Sequence, residues 1–102
     1  MTTKIIWGYI NADATIASSS GDFTVTAEKD AGFYDITFDP DSFDDQPAIV
    51  GSVVSASDEA PVFSVYSLGG NNNSFVAEIR DGHSGDRDNR AFMFTATGPG
   101  DD

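Results

Sequence analysis

Residues 39–45 form the densest cluster of candidate ligands in the chain. Carboxylates occupy four of the seven positions: Asp39, Asp41, Asp44 and Asp45. Calcium takes about six to eight oxygen ligands from carboxylates, carbonyls and water, and these side chains could supply several of them. The segment lacks the fixed glycine and the terminal glutamate of an EF-hand loop. Two interpretations stay open: a calcium site, or an Asp-rich turn that adds solubility and holds Phe43 beneath it as a plug.

A second polar segment, residues 80–90, contains three of the five basic residues and the only histidine. Arginine and aspartate alternate along it, and such side chains pair with each other or with the hydroxyls of a sugar. We predict that the segment either pairs with itself as an ordered loop or contributes to a polar ligand site. With the amide-rich loop 69–73, the candidate ligand-binding residues are Asn71, Asn72, Asn73, His83, Asp86, Arg87 and Asn89.

No catalytic motif accompanies these residues. His83 lies near Ser84 and Asp86, but the members of a catalytic triad normally converge from separate elements. The nucleophile pattern G-x-S-x-G is absent. The chain has no cysteine, which excludes thiolate catalysis and Cys-ligated zinc. We predict that the protein is not an enzyme and has no cofactor, with Ca²⁺ at the acidic loop as the one open alternative.

The composition indicates a small, acidic, globular protein. Its 102 residues include 17 Asp and Glu against 5 Lys and Arg, so the net charge is −12. Hydrophobic residues make up 39% of the chain, which is enough for a core and argues against disorder. The negative charge disfavours nucleic acid and anionic membranes as partners. No secretory signal or membrane span is recognisable. We expect an extracellular or virion-associated protein without a classical signal peptide, or a cytoplasmic one.

Alternation at period two recurs along the chain and predicts strands rather than helices. The clearest case is the pair 23–27 and 33–38, whose short connecting loop ends in Gly32 and predicts a hairpin. Further strands are predicted at 5–10, 14–18, 48–56, 62–68, 74–80 and 91–97. Residues 1–98 should therefore form one all-β domain, a single antiparallel β-sandwich of jelly-roll or Ig-like type with about 7–8 short strands. Residues 99–102 are predicted to be a disordered acidic tail.

Some apolar residues fall on the outward side of their predicted strands. They are Phe33, Ile49, Val53, Val76 and Met93. Either bulges shift the phase of these strands, or the residues form the interface of a homo-oligomer. Trp7 and Tyr9 are predicted to pack in the core, whereas exposed rings, including that of Tyr66, would be platforms for sugars.

Two patterns resemble those of known β-sandwich domains. They are Gly32-x-Tyr34-x-Ile36-x-Phe38 followed by Phe43 and Pro47-Ala48-Ile49-Val50, and the ending Phe92-x-Phe94-x-Ala96-x-Gly98. Over residues 23–98 the chain resembles receptor-binding domains of phage tail fibres, related bacterial surface proteins and, more loosely, H-type lectins. The resemblance implies a homo-oligomer, with a trimer favoured, that binds cell-surface glycans or caps a fibre. We predict a non-enzymatic adhesive or glycan-binding module; the alternative is a self-assembling structural subunit of a virion or extracellular filament.

Overall fold

Eight strands account for the regular structure in the computed structural model, which describes residues 2–28, 31–54, 60–68 and 72–100. The strands are β1 (Thr3–Ile10), β2 (Ile16–Ser19), β3 (Phe23–Ala27), β4 (Phe33–Phe38), β5 (Ala48–Val53), β6 (Val62–Ser67), β7 (Ser74–Arg80) and β8 (Phe92–Pro99). No helix occurs among the described residues. The predicted hairpin is present, because β3 pairs with β4 over its whole length.

The strands form two four-stranded antiparallel sheets. Sheet A has the order β2-β1-β8-β5, and sheet B has the order β3-β4-β7-β6. The inner faces of both sheets contribute to one buried cluster, so the prediction of an all-β antiparallel sandwich is confirmed. β5 and β6 are the last strands of their sheets on the same side of the molecule, and they lie next to each other without pairing.

The core is aromatic and draws on alternate residues of most strands. Its fully buried members include Ile6, Ile10, Tyr34, Ile36, Phe75, Ala77, Ile79, Phe92 and Ala96. Phe75 of sheet B meets Phe94 of sheet A edge to face, with ring centroids 5.3 Å apart. The hydroxyl of Tyr34 donates a hydrogen bond of 2.7 Å to the carbonyl of Ala12. Burial raises the pKa of Tyr34, which keeps this donor protonated.

The outward phase predicted for Ile49 and Val53 is wrong. Both are partly buried and pack against the core. Residues opposite each other in an antiparallel pair point to the same face, and β5 places Ile49 opposite Ala96 and Val53 opposite Phe92. Val50 therefore faces outward, and it is 71% exposed. The other residues predicted to point outward do so: Phe33, Val76 and Met93.

The core position predicted for Trp7 is also wrong. Ile6 and Ile10 take the inner phase of β1, so Trp7 lies on the outer face with 43% of its surface exposed. Gly8 is the inner-facing residue between them. A Cβ there would lie 2.6 Å from Cζ of Phe23, so the glycine lets this ring from sheet B rest on the backbone of β1.

The C-terminal strand continues beyond the predicted end of the domain at residue 98. β8 reaches Pro99, and the amide of Gly100 donates to the carbonyl of Thr2 over 3.1 Å. Thr2 Oγ1 donates in return to the carbonyl of Gly100 over 2.6 Å. Residues 99 and 100 are thus paired rather than loose, and the rest of the predicted tail, 101–102, lies outside the described residues.

The connections gather at the two ends of the sandwich. The acidic-loop end consists of residues 20–22, 39–47, 72–73 and 98–100. The arginine-loop end consists of residues 11–15, 31–32 and 81–91. Every strand runs from one end to the other, so a candidate site must be built at one end or on a sheet face.

Candidate functional site

The predicted ligand-binding residues do not come together. Asn72 and Asn73 precede β7 at the acidic-loop end, whereas His83, Asp86, Arg87 and Asn89 follow β7 at the other end. A strand of this length separates its ends by roughly 20 Å. Asn71 lies outside the described residues. A single polar site made from the whole set is therefore not what the fold builds.

The acidic loop, residues 39–45, is a cap over one end of the core. Phe43 is buried, with 2% of its surface exposed, and its ring meets that of Phe38 edge to face at 5.2 Å. The amide and the hydroxyl of Ser42 both donate to the carbonyl of Asp39, at 3.2 and 2.7 Å. Nδ2 of Asn72 donates to the carbonyl of Phe43 over 2.6 Å, so the asparagine holds the cap in place.

The carboxylates of the acidic loop point into solvent rather than toward one another. Asp39, Asp41, Asp44 and Asp45 are all exposed. Among the described residues, which include this whole loop, no three His, Asp or Glu side chains are placed to hold a metal ion. The structure thus shows the Phe43 plug, and the calcium site stays a prediction without a gathered set of donors.

The arginine loop, residues 80–90, pairs with a residue that the sequence did not single out. Glu78 lies on the outer face of sheet B and is 8% exposed. Nε of Arg80 is 3.1 Å from one carboxylate oxygen, and Nε of Arg87 is 3.0 Å from the other. The guanidinium of Arg87 also lies 4.5 Å from the ring centre of Phe33. The loop therefore folds back onto sheet B through Glu78, a partner outside the segment, whereas the self-paired interpretation expected pairs within it, such as that of Arg90 with Asp88 at 2.9 Å.

The remaining candidates in this loop make local structural contacts. Oδ1 of Asp81 accepts hydrogen bonds from the amides of His83 and Ser84, at 2.7 and 3.3 Å, which is an Asx turn. The carbonyl of Asp86 accepts the amide of Asp81 at 2.8 Å. Oδ1 of Asn89 accepts the amide of Gly32 at 2.8 Å and ties the loop to β4. The His83 side chain is exposed, and among the described residues it belongs to no group of three His, Asp or Glu side chains that could hold a metal ion.

Glu78→Gln should weaken the fold at neutral pH more than in acid. Burial raises the pKa of Glu78, but the hydrogen bonds from Arg80 and Arg87 lower it by a larger amount. The pKa of Glu78 therefore lies below its ordinary value of 4.5. A depressed carboxyl pKa stabilises the fold above the unfolded value and loses that contribution as the pH falls through the folded value. Urea unfolding should show that the wild type and the variant differ in free energy of unfolding at pH 7 and that this difference shrinks at pH 3.

Asp86→Asn is the control for the loss of one negative charge. A difference between the wild type and Glu78→Gln that does not change with pH would contradict the pairing of Glu78 with the two arginines.

The outer face of sheet A is an extended surface without charged residues. Among the residues of β1, β2, β5 and β8 the only charged one is Lys4, which is 3.7 Å from Asp22 and has a side chain only 15% exposed. We call the outer residues of this sheet the uncharged face. They include Ile5, Trp7, Tyr9, Val50, Met93, Thr95 and Thr97.

The uncharged face is continuous across three strands. Trp7 lies opposite Thr95, and Thr95 lies opposite Val50 on the far side. Met93 lies between Tyr9 and Ser52 in the next row. The sequence prediction found only Met93 of this surface. The lack of charged residues in these strands could have indicated the surface from the sequence. That prediction would first have required knowing which side chains of β1 and β5 point outward.

The chain matches no known family. No protein-family model fits it, and neither curated proteins nor solved structures include a match. The likeness to phage tail-fibre domains and H-type lectins therefore stays a prediction from the two sequence patterns.

The ionisable groups with clear partners, such as Glu78, are paired for structure, and the aromatic and aliphatic groups on the uncharged face offer contact area. Within the part of the chain that the structure describes, no helix is long and apolar enough to cross a bilayer.

Proposed function

We propose that this protein is a non-enzymatic β-sandwich module that assembles with copies of itself through the uncharged face. The observation that carries the proposal is the contrast between that face and the rest of the molecule. A chain with a net charge of −12 has no Asp, Glu, Lys, Arg or His on the outer side of one entire sheet. Val50, Ile5, Met93 and Trp7 are 71, 55, 45 and 43% exposed there.

The size of the face supports a contact between two copies. Four strands about 4.8 Å apart and about six residues long cover roughly 20 by 20 Å. The side chains that project from the sheet add to this flat area of roughly 400 Å². The accessible area of the face therefore approaches the lower end of the range for stable complexes, which bury about 600–1,000 Å² per partner. The apolar side chains on this face are interleaved with Thr95 and Thr97, and the face is of the order of the roughly 300–600 Å² of the largest apolar patch on a typical monomer, a patch that is often functional.

Electrostatics supports the same surface. Two copies that each carry −12 repel each other, and the repulsion is smallest when the acidic loops stay far apart. The described acidic residues lie mainly in loops at the ends of the sandwich, so contact through the uncharged face brings no carboxylate into the interface. The contact is self-complementary and closes at two copies. A dimer is the simplest outcome, and the trimer implied by the sequence resemblance stays a prediction.

Thr95→Glu should convert the assembly into monomers. Thr95 lies on β8, between Trp7 and Val50. In a dimer formed by two uncharged faces, a carboxylate at this position would be buried in the interface without a partner of opposite charge. Thr37→Glu is the matched control, because Thr37 is an exposed threonine on a central strand of sheet B. Size-exclusion chromatography with light scattering should give an oligomer for the wild type and Thr37→Glu, and a monomer for Thr95→Glu. A wild type that stays monomeric at high concentration would overturn the proposal.

Glycan binding is the second candidate, and exposed aromatic rings favour it. Tyr66 is 60% exposed and Trp7 is 43% exposed, so both rings are open to stacking against a sugar. The module would then be an adhesive one that presents several copies of the ring. A broad glycan array with and without calcium tests this function, and an array without any bound glycan would count against it.

A further inference from the structure

Strand β6 lies at an edge of sheet B, next to β5 of the other sheet. It is the last strand of sheet B in the described part of the chain, and its sequence, Val-Phe-Ser-Val-Tyr-Ser, has no charged residue. Soluble proteins commonly protect such edges with charged side chains, proline or a covering segment, because an edge strand presents backbone donors and acceptors to other chains. The other edge strands, β2, β3 and β5, also lack charged residues, and β6 is distinguished from them by two grooves that its residues line.

A bulge in β6 lies at Tyr66, whose side chain is on the outer side of sheet B. The register with β7 shifts between Val65 and Ser67, which both pair with neighbouring residues of that strand while Tyr66 is skipped. Tyr66 is 60% exposed, and its ring meets that of Phe33 edge to face at 4.9 Å. Bulges of this kind re-aim a side chain at sheet edges, often next to binding sites.

Two grooves lie on opposite sides of this edge and share Tyr66 and Ser67. The outer groove, of about 310 Å³, is lined by Glu28, Phe33, Tyr66, Ser67 and Val76. The seam groove, of about 510 Å³, lies between the two sheets and is lined by Pro47, Ile49, Val65, Tyr66, Ser67 and Leu68.

We propose that β6 binds an extended segment of another protein as a fifth strand of sheet B. Side chains of an added strand alternate between the two faces of the sheet. One set would enter the seam groove and the other the outer groove, so that backbone hydrogen bonds give affinity and the grooves give specificity. This surface is separate from the uncharged face and does not depend on the proposed self-assembly.

The lining of each groove defines the chemistry of the partner segment. The seam groove is bordered by Ile49, Val65 and Leu68 and takes apolar side chains. The outer groove has Glu28 as its charged lining residue beside the rings of Phe33 and Tyr66, which suits a basic side chain. The net charge of −12 adds a long-range attraction for a basic segment. The expected partner is a strand that alternates apolar and basic residues.

A second copy of the chain fits this edge less well. Its own Phe63 and Val65, which would have to enter the seam groove, already pack against the core of that copy. Two chains of −12 also repel each other, whereas a basic segment is attracted.

Fluorescence anisotropy with a labelled peptide of alternating Val and Lys, capped at both ends, tests the proposal on the full chain. The wild type should bind, and Leu68→Ser and Tyr66→Ser should each weaken binding about tenfold, which is about 1.4 kcal/mol. Ile16→Ser is the matched control, because Ile16 and Leu68 are both 42% exposed and Ile16 lies on the edge strand of the other sheet. Ile16→Ser should bind as the wild type does.

Two N-methylated peptides separate strand pairing from general attraction. Amides of the Lys positions and of the Val positions point to opposite edges of an extended peptide, so methylation of one set should abolish binding and methylation of the other should preserve it. The proposal would be overturned if both methylated peptides bound equally well. It would also be overturned if a peptide of alternating Val and Glu bound as well as the peptide of alternating Val and Lys. So would an oligomer of the free protein that Leu68→Ser dissociates, because a second copy would then occupy the edge.

Discussion

Replacing Phe43 by alanine should lower the free energy of unfolding by about 3–5 kcal/mol. The ring is 2% exposed and rests edge to face on Phe38, whose own ring lies 6.0 Å from that of Phe75. Its removal would open a cavity at the end of the aromatic core that the backbone of the loop cannot fill. The side chain of Asn72 donates a hydrogen bond to the carbonyl of Phe43, and the amide of Asp44 donates one to the carbonyl of Pro99, so the loop cannot readily collapse inward. Urea unfolding measures the loss.

Aspartate variants in the same loop are the controls for this result. Asp41→Asn and Asp45→Asn remove exposed carboxylates and should change the free energy of unfolding by no more than about 0.5 kcal/mol. If these variants cost as much as Phe43→Ala, the charges rather than the plug would be the reason for the loop. A calcium-dependent rise in melting temperature that the aspartate variants abolish would support a calcium site at the same loop.

The sequence predicted which side chains are buried only in strands where polar residues occupy every second position. In β3 and β4, threonine and aspartate alternate with Phe23, Ile36 and Phe38, so only one face could be buried and the hairpin was predicted with its correct inner residues. In β1 and β5, apolar residues stand on both phases, as in Ile5-Ile6-Trp7. Alternation then leaves the phase undetermined, and only the pairing with β8 decides it.

The candidate sites failed to converge for a similar reason. Sequence proximity grouped the arginines of residues 80–90 with His83 and the asparagines, but the partner of Arg80 and Arg87 is Glu78 on β7, the strand that leads into the loop. Arg87 lies nine positions from Glu78, and a reversal of the chain brings them together. Backbone hydrogen bonds within the loop hold this reversal. The alternation of polar and apolar residues cannot predict such bonds.

Gly32→Ala should lower the free energy of unfolding by about 2–5 kcal/mol, from roughly 1–2 for the left-handed backbone and about 1–3 for overpacking. Gly32 has a φ of +85°, and a Cβ there would lie 2.6 Å from the carbonyl oxygen of Ile79 and 2.9 Å from Cβ of Arg87. The backbone of Gly32 also accepts the amide of Ile79 and donates to Asn89, both at 2.8 Å. A shift that relieves the clash would therefore lengthen the bonds that hold the arginine loop against β4.

Gly85→Ala isolates the backbone contribution to that loss. Gly85 has a nearly equal φ of +80°, but a Cβ there meets nothing within 4 Å. Its substitution should cost only the roughly 1–2 kcal/mol of left-handed strain. The difference between the two variants in urea unfolding then measures the close approach of Gly32 to β7. Equal losses would show that the loop moves freely away from β4, and that the pairing of Glu78 with both arginines does not depend on this contact.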